Sequence, residues 1–305
     1  MLLCPGQGAQ KVGMGRDLAE RFPAARDTFE AIDEALGVSL SRIMWHGPAE
    51  ELILTHNTQP AILAHSAAVH AVVKDRLPHV AGAAGHSLGE YSAYVMAGAL
   101  TPTDAARLVR RRGELMFEAG QARPGAMAAV LGLPTEQVEG ACSEVGMANG
   151  VAVAANLNAP DQTVISGDPE AVARAGEGCK TRGAKRVLPL KVSGAFHSPL
   201  MEPAVSGLAK ALATVQFDDP GIPVIANASA EPVTTAVEAV RQLEAQLTAP
   251  VLWVDSMQEA SRLADEVTFV EVGPGSVLSG LLKRILPSPV SITLGTANEV
   301  EAFLS

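Results

Sequence analysis

Gly85-His86-Ser87-Leu88-Gly89 has the G-x-S-x-G spacing of a nucleophile elbow. The apolar run Val80–Gly85 before it reads as a strand and Glu90–Gly98 after it as a helix, the setting in which such a turn exposes a serine. Flanking glycines permit the sharp turn and leave room beside the Ser87 hydroxyl. Leu88 falls at the helix start, where its N–H points toward negative charge developing on an attacked carbonyl. Short glycine-flanked motifs also occur in ordinary turns, so the strand–turn–helix context carries the reading.

A serine hydroxyl needs a base to act as a nucleophile at neutral pH. The chain offers His46, His56, His65, His70, His79, His86 and His197. His65 and His70 fall in an apolar helix and read as core or groove residues, and His86 is expected to project away from its neighbour Ser87. His197 lies in the loop Val192-Ser193-Gly194-Ala195-Phe196-His197-Ser198-Pro199, where the chain crosses back, and is the candidate base against a merely satisfied polar residue. No H-E-x-x-H or paired C-x-x-C is present, so no metal is expected.

The elements that must position these groups alternate short β-rich runs with long Ala/Leu/Val helices, an α/β pattern. Leu2–Cys4 is a strand, residues 14–35 a helix, and Thr58 caps a helix running to about Lys74 with Pro60 in its first turn. Asp104–Ala119 is a further helix. From Pro124 the order becomes β-α-β-β-α-β: strand Ala126–Leu131, helix Thr135–Glu144, strands Val151–Asn156 and Thr163–Ser166, helix Pro169–Arg182, strand Arg186–Leu190. That order is the ferredoxin-like pattern, here an inserted unit over 124–193. The first texture then resumes with helix Pro199–Ala213, strand Pro223–Ala226, helix Ala236–Gln246, strand Phe269–Val272, helix Ser276–Ile285 and strand Val290–Leu294.

The 305 residues are 48% apolar and carry a formal charge of −10, which argues against a nucleic-acid partner. No apolar run is long enough to span a membrane, and the first residues lack a signal-peptide core. Three widely spaced cysteines (Cys4, Cys142, Cys179) suit a reducing compartment. The expectation is a cytoplasmic monomer.

Several motifs occur in order: Pro5-Gly6-Gln7-Gly8-Ala9-Gln10, Thr58-Gln59-Pro60-Ala61, Gly85-His86-Ser87-Leu88-Gly89-Glu90-Tyr91, Arg112-Gly113, Gly194-Ala195-Phe196-His197-Ser198 and Glu271-Val272-Gly273-Pro274-Gly275. Together they resemble the malonyl-CoA:acyl carrier protein transacylases of fatty acid synthesis and the related acyltransferase domains of polyketide synthases, over essentially the whole chain. The resemblance implies an α/β-hydrolase-like core with a parallel sheet (1–123 and 194–305) carrying the ferredoxin-like insert. It implies Ser87 as nucleophile, His197 as base, and the N–H groups of Gln7 and Leu88 as the oxyanion hole. Arg112 matches the residue that holds the malonyl carboxylate, and Gln246 the one whose backbone carbonyl orients the histidine, making a dyad. Asn156 and Asn158 match a loop lining the CoA thioester channel. Ala249 departs from the family, where many members carry Asn, with little effect expected because the inferred contact uses backbone. Malonyl-CoA is implied as substrate, an acyl carrier protein as partner, and no cofactor. Ala195-Phe196-His197 and Leu88 resemble the malonyl-selecting rather than the methylmalonyl-selecting pattern.

A guanidinium suits a half-thioester bearing one fixed carboxylate. Arg110-Arg111-Arg112 on a helix is otherwise a solvated basic face, and successive residues diverge, so at most one faces the site. Competing readings are a serine esterase or thioesterase, which gives Arg112 no task, and a dinucleotide-binding module at Gly273-Pro274-Gly275-Ser276-Val277-Leu278-Ser279-Gly280, whose third glycine falls late. The physiological carrier stays open between fatty acid, polyketide and malonate decarboxylase carriers. Residues 107–191 hold 11 Lys/Arg against 9 Asp/Glu while the rest nets −12, which directs attention to Lys180, Arg182 and Lys185 as a carrier-docking face.

Overall fold

A computed structural model describes residues 1–146, 150–192 and 194–305. Ser193, the expected last residue of the insert, lies outside the described residues.

Two sheets organise the chain. The larger has the order β10-β9-β1-β2-β7-β8. Its strands are β1 (Leu2–Cys4), β2 (Ala83–Gly85), β7 (Val224–Ile225), β8 (Pro232–Val233), β9 (Thr268–Val272) and β10 (Val290–Leu294). All pairings are parallel except the edge pair β7–β8. Alternation along β1 explains why so short a strand can sit centrally: Leu2 and Cys4 enter one apolar core with Ile62 and Val69, and Leu3 enters another with Trp253, Met257 and Phe269.

Helices cover both faces. Before the insert they are α1 (Arg16–Arg21), α2 (Pro23–Leu36), α3 (Leu40–His46), α4 (Ala49–Leu52), α5 (Thr55–Val73), α6 (Gly89–Met96) and α7 (Pro102–Ala122). After it come α10 (Glu202–Leu212), α11 (Ala236–Ala245), α12 (Trp253–Ala260), α13 (Val277–Ile285) and α14 (Ala297–Leu304). No helix among the described residues is long and apolar enough to cross a membrane.

The second sheet, β4-β5-β3-β6, is antiparallel throughout: β3 (Ala126–Leu131), β4 (Ala152–Ala159), β5 (Gln162–Gly167) and β6 (Arg186–Pro189). Helices α8 (Thr135–Val145) and α9 (Pro169–Thr181) cover one face and enclose Val130, Val138, Ile165, Val172 and Cys179. Its other face turns Met127 toward the main core.

Three expectations are corrected. The helix expected over 14–35 breaks between α1 and α2, because Pro23 opens a new helix after an extended Phe22. The helix expected to start at Thr58 starts three residues earlier, at Thr55. Thr58 therefore caps nothing: its hydroxyl donates to the Leu52 carbonyl at 2.6 Å. Pro60 consequently lies inside α5, and the His56 carbonyl it cannot serve accepts from Arg110 Nη1 at 3.2 Å. The helix expected from Pro199 opens with a tight turn, Pro199–Met201, before α10. Helices α3, α4, α12 and α14 and strand β8 were not legible in the pattern.

Candidate active site

Ser87 sits between β2 and α6 with φ 53°, a left-handed backbone that a non-glycine residue adopts at a cost. The elbow is feasible only with glycine at its ends: a Cβ on Gly89 would lie 2.2 Å from the Cys4 carbonyl oxygen, and one on Gly85 1.9 Å from Gly89. Asn227, just beyond β7, holds the strained turn from outside. Its Oδ1 accepts the Ser87 N–H at 2.7 Å and its Nδ2 donates to the Gly85 carbonyl at 2.7 Å.

Ser87 Oγ lies 2.7 Å from His197 Nε2, and His197 Nδ1 lies 2.9 Å from the Gln246 carbonyl oxygen. A carbonyl only accepts, so Nδ1 carries the hydrogen and Nε2 is the lone-pair nitrogen facing Ser87. Burial, reinforced by the nearby Arg112 charge, lowers the His197 pKa to about 3. The imidazole is therefore neutral at physiological pH, as a general base must be.

Arg112 is 1% exposed, whereas Arg110 and Arg111 turn outward to Glu114 and Glu118, so one arginine of the three faces inward. Arg112 Nη1 donates to Gln59 Oε1 at 2.8 Å. Its Nη2 donates to Gln246 Oε1 at 2.8 Å and to Ser87 Oγ at 3.1 Å, and the guanidinium lies 5.7 Å from the Tyr91 ring centre. No carboxylate is ion-paired with it among the described residues. A buried cation with no carboxylate in direct contact is costly, and this one lies where it could receive an anionic group bound over Ser87.

A cavity of about 110 Å³ opens over Ser87, lined by Gln7, His86, Leu88, Arg112, Asn156 and His197 among others. Among the described residues, neither the Gln7 nor the Leu88 N–H has a protein acceptor. Asn158 does not reach this cavity. It lines a neighbouring one of about 180 Å³ with Gln7, His86 and Leu281, and its Oδ1 meets His86 Nε2 at 2.8 Å. The two asparagines thus fall in adjoining cavities divided by Gln7 and His86. His86 is bonded to Asn158 rather than to Ser87, and the residue lines both cavities.

Sequence reasoning missed Glu90, Asn227, Gln59 and the Gln246 side chain. Glu90 is fully buried in the first turn of α6, and burial raises its carboxyl pKa to about 7. Its Oε2 accepts from Gln246 Nε2 at 2.7 Å and from the Asn227 N–H at 3.0 Å. A charged residue inside an otherwise apolar helix was the available signal.

Two other regions bear on the competing dinucleotide reading and on the expected docking face. The Gly273–Gly280 turn has no free helix N-terminus for a pyrophosphate, because Glu271 accepts the N–H groups of Leu278 and Ser279 at 3.0 and 2.8 Å. On the second sheet, Lys180 pairs with Glu177 at 2.7 Å and Arg182 with Glu144, so two of the three expected docking cations are locally neutralised.

Residues 1–301 match the family described as Acyl transferase domain. The chain is 46% identical over 284 residues to the malonyl CoA-acyl carrier protein transacylase of Bacillus subtilis, spanning 93% of this chain and 89% of that one. It resembles the crystal structure of an acyl carrier protein S-malonyltransferase from Vibrio cholerae with TM-score 0.94 and 42% identity, covering 99% of this chain and 98% of that one. A type II PKS acyl-carrier protein in complex with its malonyl-transacylase matches with TM-score 0.94 and 40% identity, covering 99% and 98%. With Ser87, His197 and the buried Arg112 brought together on that scaffold, the chain belongs to the acyl transferase domain family, among its malonyl CoA-acyl carrier protein transacylases.

Proposed function

We propose that the protein transfers a malonyl group from malonyl-CoA to the phosphopantetheine thiol of an acyl carrier protein, supplying fatty acid synthesis. One observation carries the reading: Ser87 Oγ lies between a neutral imidazole nitrogen at 2.7 Å and the buried Arg112 guanidinium at 3.1 Å. His197 Nε2 takes the Ser87 proton as Oγ bonds to the thioester carbon. The Gln7 and Leu88 N–H groups receive the tetrahedral oxyanion, and Arg112 holds the distal carboxylate. The C–S bond then breaks, and the departing CoA sulfur takes the proton from His197. The carrier thiol reverses these steps on malonyl-Ser87.

In this reading the α/β-hydrolase-like core (1–123 and 194–305) supplies the dyad, and the ferredoxin-like insert (124–193) closes the acyl channel. Asn156 lines the reacting cavity and Asn158 the adjoining one. Its three cysteines are buried thiols, in keeping with a cytoplasmic enzyme.

Intact-mass measurement after incubation with malonyl-CoA tests the reading. A single malonyl adduct is expected, discharged by a holo-carrier protein and lost in Ser87→Ala; an unchanged adduct in that variant overturns it. Discharge by water alone, as fast as by carrier thiol, indicates a thioesterase instead. The matched complex holds a type II PKS carrier, so fatty acid and polyketide carriers are compared as acceptors.

A further inference from the structure

Gln246 joins every part of the reacting centre. Its backbone carbonyl anchors His197 Nδ1, its Oε1 accepts from Arg112 Nη2 at 2.8 Å, and its Nε2 donates to the Ser87 carbonyl at 3.0 Å and to Glu90 Oε2 at 2.7 Å. Only one orientation of the amide satisfies this set. Turned by half a revolution, its NH₂ would face the Arg112 guanidinium, its oxygen would face the Ser87 carbonyl, and Glu90 would lose a donor. The two acceptors that define the orientation are the Ser87 carbonyl and the Glu90 carboxyl. Each also accepts a backbone N–H, the Ser87 carbonyl that of Glu90 at 3.1 Å and Glu90 Oε2 that of Asn227 at 3.0 Å, but Glu90 is the acceptor that belongs to a side chain and makes the shorter bond to Gln246. Glu90 itself is anchored by the Asn227 N–H, and the Asn227 side chain grips the elbow at both Gly85 and Ser87.

We propose that Glu90 is a positioning residue: by fixing the Gln246 amide it holds the base and the guanidinium in a single arrangement around Ser87, so that acyl selection and acylation rate depend on it together. The proposal deepens the malonyl-transfer reading and rests on Arg112 receiving the acyl carboxylate. The role belongs to the acceptor oxygen. A glutamine at this position keeps that oxygen, and it resembles the protonated carboxyl that a pKa near 7 makes accessible.

The test measures Ser87 acylation by malonyl-CoA and by acetyl-CoA in the full chain, with thermal melting as a control on folding. Glu90→Leu fills a similar volume without an acceptor. It is expected to slow malonyl acylation about 10-fold, as for one lost hydrogen bond to a charged group, and to lower the malonyl-to-acetyl ratio by about 5-fold or more. Glu90→Gln restores both to within about 3-fold, because its amide oxygen still serves Gln246 and Asn227. Gln246→Leu keeps the backbone carbonyl behind His197 and lowers the ratio as Glu90→Leu does. Combining the two adds less than about 2-fold, since coupled residues are non-additive.

An unchanged ratio in Gln246→Leu overturns the proposal, whether or not Glu90→Leu folds. So do multiplicative effects of the pair, or a Glu90→Gln protein as impaired as Glu90→Leu. Arg112→Met, measured alongside, separates the two levels. If it leaves the ratio unchanged, the carboxylate reading fails. If it collapses the ratio while Gln246→Leu does not, the positioning role alone fails.

Discussion

Two junctions of the parallel sheet share one local pattern and end differently. At β2–α6 and at β9–α13 a short buried strand runs through glycines into a helix N-terminus. At the first, the turn presents Ser87 and leaves the Leu88 N–H without a protein acceptor among the described residues, beside the cavity that Leu88 lines. At the second, the strand brings its own anion: Glu271 turns its carboxylate onto the Leu278 and Ser279 N–H groups. A helix N-terminus is an anion site only where the fold leaves it vacant. The glycine spacing of the two segments is therefore less informative than the side chain that each strand delivers to the turn.

The sharpest way to break this contrast is to remove the cation that makes the open junction an anion site. Arg112→Met is expected to cost about 2–5 kcal/mol in the malonyl transition state, roughly 30-fold to several-thousand-fold in kcat/KM. Acetyl transfer falls far less, which a side-by-side assay with the two CoA thioesters reads directly. Equal losses on both substrates would mean that Arg112 only supports the fold.

The same arginine sharpens the contrast through pH. In the proposed reaction His197 must be neutral to accept the Ser87 proton, and its pKa is lowered to about 3 by burial and by Arg112, with a smaller contribution in the same direction from His86. The acid limb of kcat/KM for acetyl-CoA is thus expected well below the ordinary imidazole value of 6.5. Removing the positive charge favours the imidazolium, so in Arg112→Met the limb moves upward toward that value. A limb that stays in place shows that the charge does not act on the base.

The open junction was the more legible of the two. Ser87 and Leu88 were read from their strand–turn–helix setting and His197 from its loop, whereas Arg112, locally one of three arginines on a helix, and Gln7 and Gln246 were assigned through the resemblance. Glu90 and Asn227 escaped notice because their task is tertiary: residues 137 positions apart meet only when β7 lies beside β2. The second sheet's strands and helices were readable to within a residue or so, apart from β4, which runs three residues past the expected Asn156 to Ala159, since alternation and proline or glycine punctuation are local signals. The break at Pro23 and the earlier start of α5 were not. A proline marks a helix start in one place and is tolerated inside a helix in another, and which occurs depends on a distant donor such as Arg110.

The closed junction makes the opposite prediction: structural loss without chemical loss. Glu271→Ala orphans two buried donors, a cost of about 1–3 kcal/mol, or about 1.5–5 °C in Tm for a chain of this size. Acylation by the folded protein at 20 °C below its Tm is unchanged. Burial raises the Glu271 pKa, so the native state binds that proton more tightly than the unfolded chain does. Stability contributed by the group is present at low pH and lost as pH rises through its folded pKa. The difference in Tm between the two proteins therefore narrows over that range. A fall in kcat instead would place the β9–α13 turn within the reacting centre.

The smallest effect applies the same distinction to the surface. Lys180 and Arg182 already have carboxylate partners in Glu177 and Glu144, and like the closed junction they offer an incoming anion little unspent charge. Lys185 has no ion-pair partner among the described residues, and its stem lies over Gly132 at the second sheet. An acidic carrier approaching this face would meet Lys185 as a free charge and Lys180 as half of a pair. Lys185→Glu is therefore expected to lower kcat/KM for the carrier protein about 3- to 10-fold at low salt, and Lys180→Glu less than about 2-fold, with both effects fading as salt is added. Acylation by malonyl-CoA provides the internal reference. If Lys180→Glu impairs carrier use as strongly as Lys185→Glu, local pairing does not decide which cations an acidic partner reads.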